Sequence, residues 1–192
     1  MKHFLLFLLA GFYLSLHAQA PDKKPFERKG FVFGGAAGVS YIQVSAPVGL
    51  PDEKQTGMCF PNLKVGYMLT PRLALLMYLP RTSYVYKGDG RERGRGFESF
   101  IPSVQYWTND RFWLIAGAGL DMDAPVFYDM KEKSERKFYF GPAAVAGAGY
   151  EFFRKGRIAL DVQAQVHYGQ AYAPDHKVNS AAYSILVGLN WY

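Results

Sequence analysis

The sequence predicts an all-β protein, an eight-stranded antiparallel up-and-down β-barrel that crosses a membrane with its strands. Three observations carry that prediction. The stretch from Arg157 to Tyr168 puts Ile158, Leu160, Val162, Ala164, Val166 and Tyr168 on one face, and Asp161, Gln163, Gln165 and His167 on the other. That is the period-2 signature of a strand with one apolar and one polar surface, and further segments share it. The chain also opens as exported proteins do, with Lys2 and His3, an apolar run from Phe4 to Leu16, and Ala18-Gln19-Ala20 as a small-x-small cleavage site. Finally, short turns alternate with longer polar connections along the whole chain.

The apolar run of the leader is shorter than the roughly 20 residues a membrane-spanning helix needs, so residues 1–20 are expected to be a cleaved signal peptide. No Cys follows it at a cleavage position, which argues against a lipid anchor. About 170 residues then remain, enough for one domain. Their densest apolar run, Leu73 to Pro80, is too short for a helical span, which leaves only a closed barrel as a route through a bilayer. The 14 Tyr, 15 Phe and 20 Gly among 192 residues suit aromatic girdles and closely packed strands. The formal charge of +6 falls by one with Lys2, and no basic tract interleaved with aromatics points to nucleic acid. Cys59, alone, has no intramolecular disulfide partner.

Residues 21–29 read as a charged, proline-containing periplasmic tail without periodicity, and residues 30–192 as the barrel. The first strand, from about Phe31 to Val44, carries Phe31, Phe33, Ala37, Val39 and Tyr41 outward, opposed by Gly34, Ala36, Gly38 and Ser40. Ala46 to Thr56 is a loop. The second strand sends Pro61, Leu63, Val65, Tyr67 and Leu69 outward, with Asn62, Lys64, Gly66 and Met68 inward. Thr70-Pro71-Arg72 is a tight turn. The third strand, Leu73 to about Tyr86, is apolar on both faces at first and has the least defined register. Lys87 to Gly96 reads as a glycine-rich basic loop.

The fourth strand opposes Phe100, Pro102, Val104 and Tyr106 to Ser99, Ser103 and Gln105, and Thr108-Asn109-Asp110 turns the chain. The fifth puts Phe112, Leu114, Ala116, Ala118, Leu120 and Met122 outward against Gly117, Gly119, Asp121 and Asp123. After a loop of mixed charge, Ala124 to Lys137, the sixth carries Phe138, Phe140, Pro142, three alanines, Tyr150 and Phe152 outward. Its inner face is Gly141, Ala143, Val145, Gly147, Gly149 and Glu151. Arg154-Lys155-Gly156 fits a three-residue hairpin with Gly in the left-handed position, which would set Asp161 across from Gly149, Gln163 from Gly147 and His167 from Ala143. Ala171 to Asn179 leaves the seventh strand, and the eighth ends with Tyr183, Ile185, Val187, Leu189 and Trp191 outward.

Tight turns join strands two to three, four to five and six to seven, which places both termini on the periplasmic side. Phe60-Pro61…Tyr67…Arg72, Phe100-Ile101-Pro102…Tyr106…Arg111 and Phe140-Gly141-Pro142…Tyr150…Arg157 repeat at a spacing of about 40 residues. Tyr67, Tyr106, Tyr150 and Trp191 thereby align as an aromatic girdle. A slip of one residue in the seventh strand would turn Asp161, Gln163, Gln165 and His167 toward lipid, at up to ~2–4 kcal/mol for a charge near the midplane.

With its strand-end Gly-Tyr pairs, the turn Leu69-Thr70-Pro71-Arg72-Leu73-Ala74-Leu75 and the closing Val187-Gly188-Leu189-Asn190-Trp191-Tyr192, the mature chain resembles the small outer-membrane β-barrel family akin to the OmpA transmembrane domain and OmpX. The resemblance implies an outer-membrane location, contact with lipid and lipopolysaccharide, and insertion by the barrel-assembly machinery. In one departure, the outward parity ends at Trp191, and Tyr192 falls on the other face.

An eight-stranded barrel is filled by its own side chains, which argues against a general porin. The inward Lys64, Gln105, Asp121, Glu151, Asp161, Gln163, Gln165 and His167 read first as a polar network that stabilises itself by pairing. The chain is read as a structural or surface-interaction protein rather than an enzyme. One rival is a lipid A deacylase or acyltransferase with His167 as base. The family's deacylase pattern has a Ser two residues beyond the His, whereas Gly169 stands there, leaving Ser103, Ser180 and Ser184 as substitutes. Arg91, Arg93 and Arg95 are candidates for lipopolysaccharide phosphates, since guanidinium pairs with phosphate oxygens. No cofactor or metal site is expected, because His167, His176 and Cys59 are scattered. The architectural rival is a soluble lipocalin-like barrel with every face inverted and Leu160 and Val162 lining an apolar pocket.

Overall fold

The computed structural model describes residues 26–45, 53–88, 91–126, 137–174 and 177–192. The expected signal peptide and most of the expected tail lie outside them. The strands are β1 (Gly30–Val44), β2 (Glu53–Thr70), β3 (Leu73–Leu79), β4 (Arg81–Gly88), β5 (Arg91–Trp107), β6 (Phe112–Pro125), β7 (Tyr139–Lys155), β8 (Ile158–Tyr172) and β9 (Lys177–Trp191). All pairings are antiparallel, and β1 pairs with both β2 and β9, so the sheet closes on itself. Closure leaves no free edge to satisfy in a hydrocarbon environment.

Nine strands make eight passages, because β3 and β4 are one passage broken at Pro80, and β5 pairs along both. Proline has no N–H to offer the ladder. On one side the Ser99 amide still donates to the Pro80 carbonyl at 3.1 Å. On the other, side chains replace backbone: the Arg81 amide donates to Asn62 Oδ1 at 3.0 Å, and Asn62 Nδ2 donates to the Arg81 carbonyl. Farther along, Gln55 makes the same two-way exchange with Val85, 2.8 Å each way. Buried or lipid-facing backbone groups are thereby paired despite the break.

The faces divide by parity. Phe31, Val39, Met58, Tyr67, Leu75, Phe100, Leu120, Val166, Tyr183 and Ile185 are exposed on the outside, while Asn62, Lys64, Ser99, Gln105, Asp121, Glu151, Asp161 and His167 are buried inside. A greasy exterior around a polar interior matches hydrocarbon and is the reverse of a soluble lipocalin-like barrel. The third passage settles the same way, with Ala74, Leu76, Tyr78, Thr82 and Tyr84 inward.

Four local expectations need correction. Of the expected loop from Lys87 to Gly96, Lys87, Gly88 and Arg91 to Gly96 are strand, since β4 and β5 pair from Arg81↔Glu98 to Gly88↔Arg91, while residues 89–90 lie outside the described residues. Glycines and charges read as a loop, but a hairpin extended past the apolar belt satisfies its own backbone, and Asp89-Gly90 is the strongest two-residue hairpin signal a sequence offers. The loop expected to run to Thr56 also gives way to strand, since Glu53 to Thr56 already pair with β1, and Tyr172 and Lys177 pair where an exit loop was expected. Lastly, β7 and β8 meet two residues away from the expected register: Glu151 faces Asp161, Gly149 faces Gln163 and Val145 faces His167. The turn comprises Gly156 (φ +60°) and Arg157, and a bulge between Glu151 and Phe153 takes up one residue. An even shift preserves which face each side chain occupies.

Candidate functional site

The lumen is the place where this chain collects polar chemistry. Its floor, at the end of the barrel that holds the short turns, is built around Glu151, which β7 projects inward. Arg28 reaches it from the segment before β1, with Nη2 2.5 Å from Glu151 Oε2 and a second bond at 2.5 Å to the Asp110 carbonyl. The Trp107 indole donates to Glu151 Oε1 at 3.0 Å, and the Tyr192 hydroxyl donates to the same oxygen at 2.8 Å. The Arg28 guanidinium stacks 4.7 Å above Trp107, whose ring meets Tyr192 edge-on at 5.6 Å. Arg28 is 5% exposed and Glu151 0%. A charge-assisted, multiply bonded carboxylate of this kind is well compensated for its loss of water.

The next layer centres on Asp161 of β8. It accepts hydrogen bonds from Trp113 Nε1 at 3.1 Å, Asn190 Nδ2 at 2.8 Å and Gln163 Nε2 at 2.7 Å. Lys64 sits 4.8 Å over the Trp113 ring and donates to Gln105 Oε1 at 3.1 Å, so the indole separates cation from carboxylate while touching both. Above it the Tyr78 hydroxyl bonds Gln165 Oε1. Small inner-face residues make the room: a Cβ on Gly149 would overlap the Trp113 ring, and one on Gly188 would overlap Gln163 and Asp161.

Toward the loop end, His167 Nε2 shares a 2.7 Å hydrogen bond with Ser99 Oγ, and its ring stacks on Phe97 at 3.9 Å and 5°. Asp121 packs beside them across Gly169, where a Cβ would come within 2.6 Å of its carboxyl carbon. Among the described residues, His167 Nδ1 and Asp121 Oδ1 have no hydrogen-bond partner. Ser103, one of the expected substitutes, donates to the Ile101 carbonyl, Ser184 lies against Cys59, and Ser180 is buried across from Gly169. The hydroxyl at the histidine is Ser99. Replacing Ser99 by Ala leaves a second imidazole nitrogen buried without a partner, and the expected loss is about 1–3 kcal/mol, read from the urea midpoint of tryptophan fluorescence in lipid vesicles.

Near the loop end Ile42, Val44, Tyr84, Phe97, Ala171, Val178 and Ala182 form a buried apolar cluster, with Tyr139 packed against them. Asp123 accepts from Tyr84 OH at 2.9 Å and from Arg95 Nε at 2.7 Å. Arg95 also lies over Tyr139 and donates to the Asp123 and Lys137 carbonyls. Its Nε and Nη2 are thereby bonded to the barrel wall. The side chains of Arg91 and Arg93 lie outside the described residues.

The eight lumen residues expected from alternation thus divide among three layers. The structure adds Arg28, Trp107, Trp113, Asn190, Tyr192 and Ser99. All but Arg28 lie on inward parity and were open to the same reasoning; Tyr192, whose parity was noticed, takes part in the floor. Arg28 comes from an aperiodic segment and carried no such signal.

No protein-family model matches the chain, and no curated protein matches it. Among solved structures it is similar to Ail, the attachment invasion locus protein of Yersinia pestis, at a TM-score of 0.58 and 14% identity over 85% of this chain and 100% of that one. Ail in complex with the heparin analogue sucrose octasulfate aligns at 0.55 with the same identity and coverage. Neisserial surface protein A aligns at 0.52 with 17% identity, covering 84% of this chain and 96% of that one. At such identities the likeness is one of fold, and together with the closed sheet and its inverted faces it gives this chain the fold of the small outer-membrane β-barrels.

Proposed function

We propose that the chain is a small integral protein of the bacterial outer membrane that acts through its surfaces, with both termini and the short turns in the periplasm and the longer connections outside. The observation that carries this reading is the packed lumen. Arg28, Trp107 and Tyr192 converge on Glu151 at one end, and Ile42, Val44, Tyr84 and Phe97 pack together as a buried apolar cluster toward the other. A filled eight-stranded interior leaves no aqueous path for solutes.

The same closure speaks against an enzyme. Ser99 and His167 form a hydrogen-bonded pair, but a nucleophile–base pair works when a third group orients the base, and among the described residues His167 Nδ1 has none. Both residues also lie beneath Phe97 and away from lipid. The external connections, with Arg91 and Arg93 at the β4–β5 hairpin, are left to meet lipopolysaccharide phosphates or a polyanion of the class that the heparin analogue represents for Ail.

Purified protein in a planar bilayer is expected to show no unitary conductance steps. Stable, reproducible steps under an applied potential would replace this reading with a channel.

A further inference from the structure

The outer wall has a notch. Along β1 the lipid-facing side chain is missing at Gly35, whose strand partners on either side are Leu63 and Leu189. Phe33, Leu63, Val65, Leu189 and Trp191 rise around it and enclose an open apolar groove of 520 Å³. The groove starts among the aromatic residues of the turn end and runs toward the middle of the wall. At its turn end the exposed Arg157 guanidinium lies 4.8 Å over the Trp191 ring, and that ring packs on Phe33 at 5.8 Å. Lys155, the last residue of β7, and Arg72, in the β2–β3 turn, are exposed at the same end.

We infer that this groove seats one anionic phospholipid of the periplasmic leaflet, its acyl chain over Gly35 and its phosphate at Arg157. Surrounded by hydrocarbon, an apolar notch takes an apolar occupant. A cation fixed at the height of the aromatic girdle then selects what the other end of that occupant carries. Trp191 serves both parts, as wall of the groove and as platform that holds the guanidinium. Guanidinium in turn suits phosphate oxygens. The leaflet assignment rests on the orientation proposed above; the site itself does not.

The test uses the full barrel reconstituted in vesicles of equal parts phosphatidylglycerol and phosphatidylcholine, stripped with mild detergent and weighed by native mass spectrometry. One retained phospholipid is expected, with phosphatidylglycerol favoured about fivefold, the effect of one basic side chain at an anionic surface. Gly35→Leu should remove the retained lipid. An added Cβ there meets only Leu63 Cδ2 at 3.7 Å, so the substitution fills the groove without disturbing the wall. Arg157→Gln should keep a lipid but bring the preference close to one. A heat-shift gel checks that both variants are folded. Retention unchanged in Gly35→Leu, a wild type without headgroup preference, or a dimer that Gly35→Leu disperses would each overturn the inference, the last by giving the face to a second copy. Labelling of a Lys155→Cys variant by an impermeant maleimide on intact cells would overturn the orientation alone.

Discussion

Arg28→Ala is expected to cost the barrel about 3–5 kcal/mol, because it strands a carboxylate that cannot leave. Glu151 is fixed in β7 opposite Asp161, and without the guanidinium its remaining donors among the described residues are Trp107 and Tyr192. The reverse substitution is not equivalent. In Glu151→Gln the abandoned charge is Arg28, which precedes β1 and regains water by a change of a few backbone dihedrals. Glu151→Gln should therefore cost less than Arg28→Ala. Adding it to Arg28→Ala should restore most of the loss, since an amide left in the floor carries no charge to desolvate. The comparison is read from urea midpoints in lipid vesicles. Equal losses for both single variants, or strict additivity in the double, would mean that the pair is an ornament of the floor.

Gly149→Ala is the second large effect. The new methyl would occupy the place of the Trp113 ring, and that ring cannot move alone because its N–H is bonded to Asp161 and its face carries Lys64. Overpacking costs about 1–3 kcal/mol by itself, and loss of a donor to a buried carboxylate adds to it. Trp113→Phe in the same background should recover part of the loss by vacating space while leaving Asp161 one donor short. The two changes are thus expected to be non-additive by about 0.5–3 kcal/mol in a double-mutant cycle. Additive losses would show that the ring and the glycine do not share a space.

How much of this was legible in the residues depended on what kind of order each feature obeys. Alternation has a period of 2, so the side of the wall on which Lys64, Asp161 or His167 falls was readable without knowing any partner. The partners were another matter. Ser99 and His167 are 68 positions apart, and their meeting depends on the curvature of the closed sheet, which no local pattern encodes. The β7–β8 register was misread by two because a bulge and a two-residue turn are small departures whose effect is to shift every later pair. The hairpin between β4 and β5 was misread through composition: glycine and arginine describe solvent exposure, and an exposed strand has that composition as readily as a loop. Arg28 was invisible for a third reason, since a single inward contact at the end of an irregular segment leaves no period to detect.

The floor of the lumen joins residues from opposite ends of the barrel chain. Arg28 lies just ahead of the first strand, Tyr192 just after the last, and Glu151 and Trp107 lie between them. Such a junction cannot exist until β9 has found β1, so its bonds form after the slowest, most non-local pairing is complete. Interactions absent from the transition state leave the rate of assembly almost untouched and set the rate of opening. In kinetic terms the four side chains act as a bolt drawn after the door is shut, which gives a finished barrel a long lifetime without steering how it is made.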